Sequence, residues 1–355
     1  MKEQDFLKLL KKYRNLLWPE VRKAIEKINS FPKYCRLDKK YQKELDFHQN
    51  IVGDYPQRQG KYLRPTLLLL TAQAMGAKKE MANNTATAMQ ISEDWILNHD
   101  DIEDDSESRR GLPALHKIYG IELAINAGDA LHIIMWKVLF DNFLILEKQL
   151  AMKIVEEFYT MLNRTVLGQE IELKWTRDKR YDLSEEDNFL ILESKTGYYT
   201  IAGPMRLGAI IAGASEKQLE AIYRFGVILG RSFQIVDDLL DLTSDFAGQK
   251  RRGNDIYENK RTIMLLHLIK TSSGIDKKLI SEIIDKKREE KREKDIDIIV
   301  KLMEKYGSLD YGKKMAEKYA KEAKIIFNKE LDFIKIQPYR NQIKSGIDFI
   351  VNRNY

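Results

Sequence analysis

Residues 95–105 read WILNHDDIEDD and residues 233–241 read FQIVDDLLD, so the acidic pattern DDxxD occurs twice in this chain of 355 residues. Each copy follows apolar residues that have the three- and four-residue spacing of a helix. On a helix, Asp100 and Asp104 project from one face because they lie four residues apart, and the second copy has the same spacing. We therefore predict that both acidic clusters lie on helices.

The rest of the chain has the same helical periodicity, with few alternating β-branched stretches, which predicts an all-α fold. The hydrophobic content of 43% is sufficient for a sizeable core, and the seven prolines and the glycines are scattered. Since no Ser-, Gly- or Pro-rich stretch indicates a linker, we expect a single domain over residues 1–355.

Cysteine content and hydropathy bear on the location of the protein. Cys35 is the only cysteine, so no internal disulfide can form, and this suits the reducing cytoplasm. The N-terminal residues are predicted to form an amphipathic helix rather than a signal peptide. Residues 121–140 are apolar but are interrupted by Asn126, Asp129 and Lys137, so no membrane span is expected.

The charge pattern gives little support for nucleic acid as a partner. The net charge is only +6, and basic and acidic residues are interleaved along the chain. The charge run at residues 286–294, KKREEKREK, is interpreted as a solvated helix face with opposite charges three and four residues apart.

The paired acidic clusters indicate a metal site. Carboxylates this close repel one another unless a cation lies between them, and a few hard oxygen ligands suit Mg²⁺. A solvated helix end would explain one DDxxD, but it explains two copies on apolar helices poorly. If the clusters face each other, they can hold several Mg²⁺ ions and clamp a diphosphate. The candidate phosphate-binding cations are Lys61, Arg64, Arg109, Arg110, Lys195, Lys250 and Lys260.

From residue 50 to residue 330 the chain resembles the trans-prenyltransferases, the polyprenyl or isoprenyl diphosphate synthases. The motifs that carry the resemblance occur in the family's order. They are GKYLRP at Gly60, DDIEDDSESRRG at Asp100, NAGD at Asn126, GQEIE at Gly168, SKTG at Ser194, FQIVDDLLD at Phe233, GNDIYENK at Gly253 and the C-terminal YGSLDYGKKMAEKYAKEAK.

The resemblance implies an all-α bundle around a deep central cavity, usually as a homodimer, with the two aspartate motifs facing each other. It also implies an Mg²⁺-dependent transferase that joins an allylic diphosphate (dimethylallyl, geranyl or farnesyl) to isopentenyl diphosphate. The allylic substrate would ionise, the alkene would attack the cation, and a proton would be lost to the released diphosphate.

The family's functional residues carry over onto matching positions of this sequence. The direct Mg²⁺ ligands correspond to Asp100, Asp104 and Asp237, and their close supports correspond to Asp101, Asp238 and Asp241. The groups that hold the allylic diphosphate correspond to Arg109, Lys195 and Lys250, with Lys260 as a further substrate contact. The pocket for isopentenyl diphosphate corresponds to Lys61, Arg64 and Arg110. The polar groups near the developing carbocation correspond to Thr196 and Gln234.

One position in the substrate pocket departs from the family. The usual histidine or glutamine corresponds here to Glu93, an acid that would oppose a diphosphate unless it is protonated or paired with a cation.

Product length in this family depends on side chains that wall the cavity below the first motif. Trp95 is the fifth residue before Asp100 and should block a long tail, and Ile96 and Ser92 lie on the same helix. A farnesyl or geranylgeranyl product is therefore favoured. The alternatives are a class I terpene cyclase and a non-catalytic partner subunit. A cyclase usually has a different second metal motif, and such subunits commonly lose one of the two aspartate motifs.

Overall fold

The computed structural model describes residues 3–243 and 252–351. These ranges are helical except for short connections and one hairpin, so the prediction of an all-α fold is confirmed. The first helices are α1 (Glu3–Glu26), α2 (Gln42–Gln57), α3 (Leu63–Ala74), α4 (Lys79–Glu103), α5 (Leu115–Tyr119), α6 (Ile121–Phe140), α7 (Lys148–Arg177) and α8 (Glu185–Ile191). The two strands of the hairpin, β1 (Ser108–Arg109) and β2 (Leu112–Pro113), are antiparallel.

A π-helical segment, Leu192–Ala202, continues directly from α8. The later helices are α9 (Gly203–Ile211), α10 (Glu216–Thr243), α11 (Asn254–Tyr257), α12 (Ile263–Thr271), α13 (Gly274–Ile284), α14 (Glu293–Lys305), α15 (Ser308–Glu330) and α16 (Tyr339–Val351). Short 3₁₀ turns occur at Lys33–Cys35, Lys39–Tyr41, Asp141–Leu144 and Arg288–Glu290.

The described residues group into two compact units. The N-terminal unit comprises Met1–Glu157, Leu207–Ala214 and Ile334–Ile343, and the C-terminal unit comprises the remaining residues. The expectation of a single domain stays a prediction.

In the N-terminal unit, α4 is the central helix and packs against α1, α3 and α6. The predicted amphipathic N-terminal helix is confirmed as α1, which buries Phe6, Leu10 and Leu17 at helical spacing. The central position of α4 fixes the first aspartate motif, because the motif ends this helix.

In the C-terminal unit, α10 is the central helix and packs against α15 and the π-helical segment. Its approach to that segment requires glycine: a Cβ on Gly230 would overlap the backbone of Gly197, and a Cβ on Gly226 would overlap Ala202. This contact brings the residue before Gly197, Thr196, within hydrogen-bond distance of Gln234 on the next turn of α10.

The continuous segment Ile121–Leu144 is long and apolar enough to cross a membrane by length and composition alone, although core helices of soluble proteins meet the same test. One face of α6 packs against α4 inside the N-terminal unit and buries Leu131 and Met135. Cys35 is exposed and has no disulfide partner, as the single cysteine requires. The cytoplasmic location stays a prediction.

Candidate active site

Both aspartate clusters lie at the carboxyl end of the central helix of their unit. The backbone N–H of Asp104 donates to the carbonyl of Asp100 at 2.9 Å, so the predicted helical spacing of the first cluster is confirmed. The carboxyl end of a helix carries partial negative charge, and neither α4 nor α10 has a basic residue in its last turn. Carboxylates at these positions are therefore electrostatically unfavourable, and a bound cation would relieve the repulsion.

Asp101 of the first cluster is fully buried and anchors two donors. The Tyr55 hydroxyl donates to Asp101 Oδ2 at 2.6 Å, and Arg109 Nε donates to the same oxygen at 2.9 Å. The Nη2 of Arg109 also pairs with Asp101 Oδ1 and lies 3.6 Å from Asp100 Oδ2. Arg109 therefore lies at the first cluster, and Asp101 fixes its orientation.

A tight hairpin separates the two successive arginines. Arg110 and Gly111, which connect β1 to β2, have φ values of 54° and 78°. A two-residue hairpin loop of type I′ needs positive φ at both positions, which glycine adopts without strain. Arg109 reaches Asp101, whereas Arg110 reaches Asp94, about two turns earlier on α4.

Arg110 and Arg64 share an acidic partner. Arg110 Nη1 donates to Asp94 Oδ1 at 2.8 Å, and its Nη2 lies 3.7 Å from Glu93 Oε1. The other oxygen of Glu93 lies 3.2 Å from Arg64 Nη1. Glu93, the departure from the family pattern, is therefore paired with both arginines of the expected isopentenyl diphosphate pocket.

The glycine of GKYLRP backs the Arg110 guanidinium. A Cβ on Gly60 would lie 2.7 Å from Arg110 Nη2, so a larger residue here would displace the end of the Arg110 side chain. Lys61, the next residue, is exposed, and Arg64 lies in the first turn of α3. The structure thus brings Lys61, Arg64 and Arg110 into one region of the N-terminal unit.

Asp94 is buried beside this group. Burial raises the pKa of Asp94 from its usual 3.8 to about 6, although the Arg110 guanidinium opposes the shift.

The second cluster lies on the last two turns of α10. Asp238 and Asp241 are 5% and 6% exposed, respectively, whereas Asp237 is half-buried. Gln234 Nε2 donates to Asp238 Oδ1 at 2.8 Å, and the Thr196 hydroxyl donates to Gln234 Oε1 at 2.7 Å. The polar residues predicted near the carbocation therefore form one hydrogen-bonded chain with this cluster.

Asp255 joins the second cluster and was missed by the sequence reasoning. Its backbone N–H donates to Asp241 Oδ2 at 3.0 Å, and its carboxylate lies 3.8 Å from Lys260 Nζ. Burial raises the pKa of Asp255 and of Asp238, and repulsion from neighbouring carboxylates adds to both shifts. The motif GNDIYENK contains Asp255, but only its lysine, Lys260, was assigned from the sequence.

Three predicted cations remain, and the structure describes two of them, Lys195 and Lys260. Lys195 lies on the π-helical segment, where Nζ is 2.5 Å from Glu172 Oε2. Single π-helical segments inside α-helices are frequent at functional sites. Lys260 Nζ lies 2.7 Å from Glu258 Oε2. Lys250 lies outside the described residues.

In residues 3–243 and 252–351, no three His, Cys, Asp or Glu side chains lie close enough together to hold a metal ion by themselves. The donors nevertheless fit Mg²⁺, which binds one or two carboxylates and completes its shell with water and phosphate oxygens. Burial and the neighbouring carboxylates raise the pKa of Asp238 even though the Gln234 amide and Lys260 oppose the shift. That the two clusters face each other stays a prediction.

We expect Asp94→Asn to change the pH dependence of stability. Because the folded-state pKa of Asp94 is raised, its protonated form stabilises the fold fully below about pH 4, and this contribution is lost as the pH rises through about 6. As the pH rises from about 4 to neutral, the free energy of unfolding of the wild type should therefore fall by about 3 kcal/mol relative to that of Asp94→Asn. Urea titrations across this range measure the difference.

The exposed Asp310→Asn on α15 is the matched control and should follow the wild type across the range. Parallel stability curves for wild type and Asp94→Asn would contradict the raised pKa.

Comparisons with known proteins agree with this geometry. The family model described as polyprenyl synthetase matches residues 46–303. A geranylfarnesyl diphosphate synthase of Natronomonas pharaonis is 31% identical over 83% of this chain and 87% of its own length. A geranylgeranyl diphosphate synthase of Sulfolobus acidocaldarius is 34% identical over 74% of this chain and 78% of its own length.

The crystal structure of a geranylgeranyl pyrophosphate synthetase from Pyrococcus horikoshii Ot3 superposes with a TM-score of 0.84 at 26% identity, and the match covers 100% of both chains. The resemblance and the expected isoprenoid-synthase-type fold are both confirmed. This chain therefore belongs to the polyprenyl synthetase family and is a prenyl diphosphate synthase, an enzyme of prenyl chain elongation.

Proposed function

We propose that this enzyme joins an allylic prenyl diphosphate to isopentenyl diphosphate with Mg²⁺ and makes geranylgeranyl diphosphate. The observation that carries the proposal is the crowding of carboxylates at the carboxyl ends of α4 and α10. Arg109 lies beside the first group, and Asp255 of α11, with Lys260 3.8 Å from its carboxylate, joins the second. Such carboxylates are unfavourable for a structural role alone, but they suit the binding of a metal-complexed diphosphate.

In this proposal Asp100, Asp104 and Asp237 hold Mg²⁺, which would neutralise charge on the departing diphosphate. Asp101 acts differently, because its carboxylate already accepts hydrogen bonds from the Tyr55 hydroxyl and the Arg109 guanidinium. It therefore positions Arg109 for the allylic diphosphate.

Asp238 and Asp241 have supporting roles. Asp238 accepts from the Gln234 amide and Asp241 accepts from the backbone of Asp255, so both orient neighbouring groups. Lys195, Lys260 and, outside the described residues, Lys250 supply further positive charge for the allylic diphosphate.

Arg64, Arg110 and Lys61 would bind the diphosphate of isopentenyl diphosphate. Glu93 holds both arginines in place before the substrate arrives, at 3.2 Å from Arg64 and 3.7 Å from Arg110. A diphosphate carries more charge than a carboxylate and can accept bidentate hydrogen bonds from arginine, so it can compete with Glu93 for these guanidinium groups.

Thr196 and Gln234 would stabilise the allylic cation. The Gln234 amide donates to Asp238 and accepts from Thr196, which fixes its orientation. Oxygen dipoles fixed in this way stabilise developing positive charge without reorganising during ionisation.

Mg²⁺-dependent elongation should be observed when the purified protein is incubated with isopentenyl diphosphate and an allylic starter. EDTA should abolish it, and Asp100→Asn should lower kcat by about a hundredfold or more, since it removes a charged ligand at the reacting diphosphate. Radiolabelled isopentenyl diphosphate incorporation measures both effects.

Lys329→Gln on α15 is a suitable control because it removes an exposed charge at the other end of the chain. If folded wild type with Mg²⁺ elongates no starter, the catalytic proposal is wrong and a non-catalytic partner subunit becomes the better interpretation. Cyclic hydrocarbon products would instead indicate a terpene cyclase.

The product assignment rests on Trp95 and on the relatives. The Trp95 ring stacks on His132 of α6, with centroids 4.1 Å apart and an interplanar angle of 15°. His132 Nε2 in turn accepts from the Trp136 indole at 2.8 Å, so both neighbours fix the Trp95 position.

Ser92 is buried and its hydroxyl donates to the Met89 carbonyl, whereas Ile96 is half-buried. We prefer geranylgeranyl over farnesyl diphosphate because the matched relatives have geranylgeranyl and geranylfarnesyl names.

Trp95→Ala should lengthen the product by at least one isoprene unit, because removing the indole opens space beside α4. Chromatography of the dephosphorylated products measures the length. Trp18→Ala on α1, another half-buried tryptophan of the N-terminal unit, should leave the product unchanged. An unchanged product from an active Trp95→Ala enzyme would remove Trp95 from the cavity wall.

We also propose a homodimer that uses the outer face of α6. Ile121, Ile125, Ile133 and Phe140 are exposed and recur on one side of this helix, and Ile133 is 70% exposed. Exposed apolar stripes of this kind indicate an association surface, and a second copy of the chain offers the same stripe in a self-complementary contact.

Wild type should sediment at twice the mass of one chain, and Ile133→Glu should shift it toward the monomer because a buried carboxylate would lack a partner. Ile275→Glu, at an 86% exposed position of α13, is the control and should stay dimeric. A monomeric wild type would exclude this assembly.

A further inference from the structure

The charge run at residues 286–294 does not form the solvated helix face predicted from its sequence. Arg288–Glu290 forms a 3₁₀ turn, α14 begins only at Glu293, and Lys291 between them is 4% exposed. The prediction was wrong because the spacing of charges along the sequence does not show that this segment packs against the loop before Lys260.

Two cations of the run bind the turn that contains α11, residues 254–260, called here the α11 turn. Lys291 Nζ donates to the carbonyl of Tyr257 at 3.1 Å and to Asn259 Oδ1 at 2.7 Å. Arg288 contributes two further contacts, to Glu258 Oε1 at 3.0 Å and to Asn254 Oδ1 at 3.1 Å.

The opposite side of the α11 turn faces the second aspartate cluster. Asp241 accepts from the backbone N–H of Gly253 at 2.8 Å and from that of Asp255 at 3.0 Å. At the end of the turn, the backbone N–H of Lys260 donates to the carbonyl of Asp255 at 2.9 Å, and Lys260 Nζ reaches Glu258. The α11 turn is thus the physical link between the charge run and the aspartate cluster.

We propose that Lys291 is a positioning residue which, together with Arg288, holds the α11 turn so that Lys260 and Asp255 stay beside the second aspartate cluster. The inference rests on the proposed function of that cluster in binding the allylic diphosphate with Mg²⁺. Lys291 does not itself contact the cluster in this arrangement and acts through the turn.

The turn needs such a support for two physical reasons. Asn259 adopts a left-handed backbone conformation, with φ of 59°, immediately before Lys260. This conformation costs a non-glycine residue free energy, less for asparagine than for most, so contacts to Asn259 help to keep it. The Tyr257 carbonyl and the Asn259 amide oxygen would also lose their buried donor without Lys291, and buried acceptors left unpaired are unfavourable.

The neighbourhood shows that the buried ammonium serves the turn rather than an ion pair of its own. The nearby carboxylate of Asp295 pairs with Lys286 at 2.7 Å, and that of Glu258 pairs with Arg288 and Lys260. Lys291 instead donates to a carbonyl and an amide oxygen, both of which belong to the turn.

Calorimetric titration of inorganic diphosphate in the presence of Mg²⁺ tests the proposal without turnover. Lys291→Met should weaken diphosphate binding about tenfold, in the range found for residues that support metal sites indirectly. Steady-state assays should show a matching rise in KM for the allylic substrate, with KM for isopentenyl diphosphate unchanged. Lys291→Arg, which keeps a charged donor, should recover part of the affinity.

Lys294→Met is the matched control, because it removes an exposed charge from the same run. It should bind diphosphate as the wild type does. Wild-type affinity in Lys291→Met, even with a lower Tm, would show that Lys291 is only structural and would overturn the inference. If Lys291→Met does not fold, Arg288→Gln decides by the same titration.

Failure of the proposed function gives a different result. A wild type that neither binds diphosphate nor elongates any starter would contradict the function of the cluster, and with it this inference. A wild type that does both, alongside a Lys291→Met variant of equal affinity and equal KM values, would reject the positioning role alone.

Discussion

Negative charge at the carboxyl ends of α4 and α10 is the constraint on which the rest of the site depends. A helix end already carries partial negative charge, and burial removes the water that would screen the carboxylates. Each cluster therefore needs compensating groups nearby. Arg109 compensates Asp101 in the N-terminal unit, and Lys260 lies near Asp255 in the C-terminal unit. The short hairpin supplies Arg109, and the α11 turn supplies Lys260.

Most of the described cations assigned to substrate already have an acidic partner in this structure. The pairs are Arg109 with Asp101, Arg110 with Asp94, Arg64 with Glu93, Lys195 with Glu172 and Lys260 with Glu258. Their side chains are thereby held in place before any ligand arrives, which reduces the conformational entropy lost on binding. Under the proposed function, a diphosphate would replace these carboxylates and strengthen the contacts without a large rearrangement.

The sequence left the partners of Glu93 open and gave a wrong prediction for the charge run at residues 286–294. Glu93 was a conflict in the sequence because its partners, Arg64 and Arg110, lie about thirty residues upstream and seventeen residues downstream, respectively. The second feature was the charge run, where spacing predicted a solvated helix but Lys291 is buried. Asp255 was overlooked for a related reason, since its neighbour Asp241 lies across a connection that no helical period describes. In each case the missing information was a long-range contact.

The sequence by itself determined the all-α class, the helical placement of both DDxxD clusters and the family, because these depend on local periodicity and on motifs of adjacent residues. Tertiary structure alone decided which charge pairs with which. It placed Glu93 between two arginines, gave Asp101 to Arg109 and buried Lys291 against the α11 turn. Pairing and burial depend on distances between residues far apart in the chain, and those distances exist only after the helices have packed.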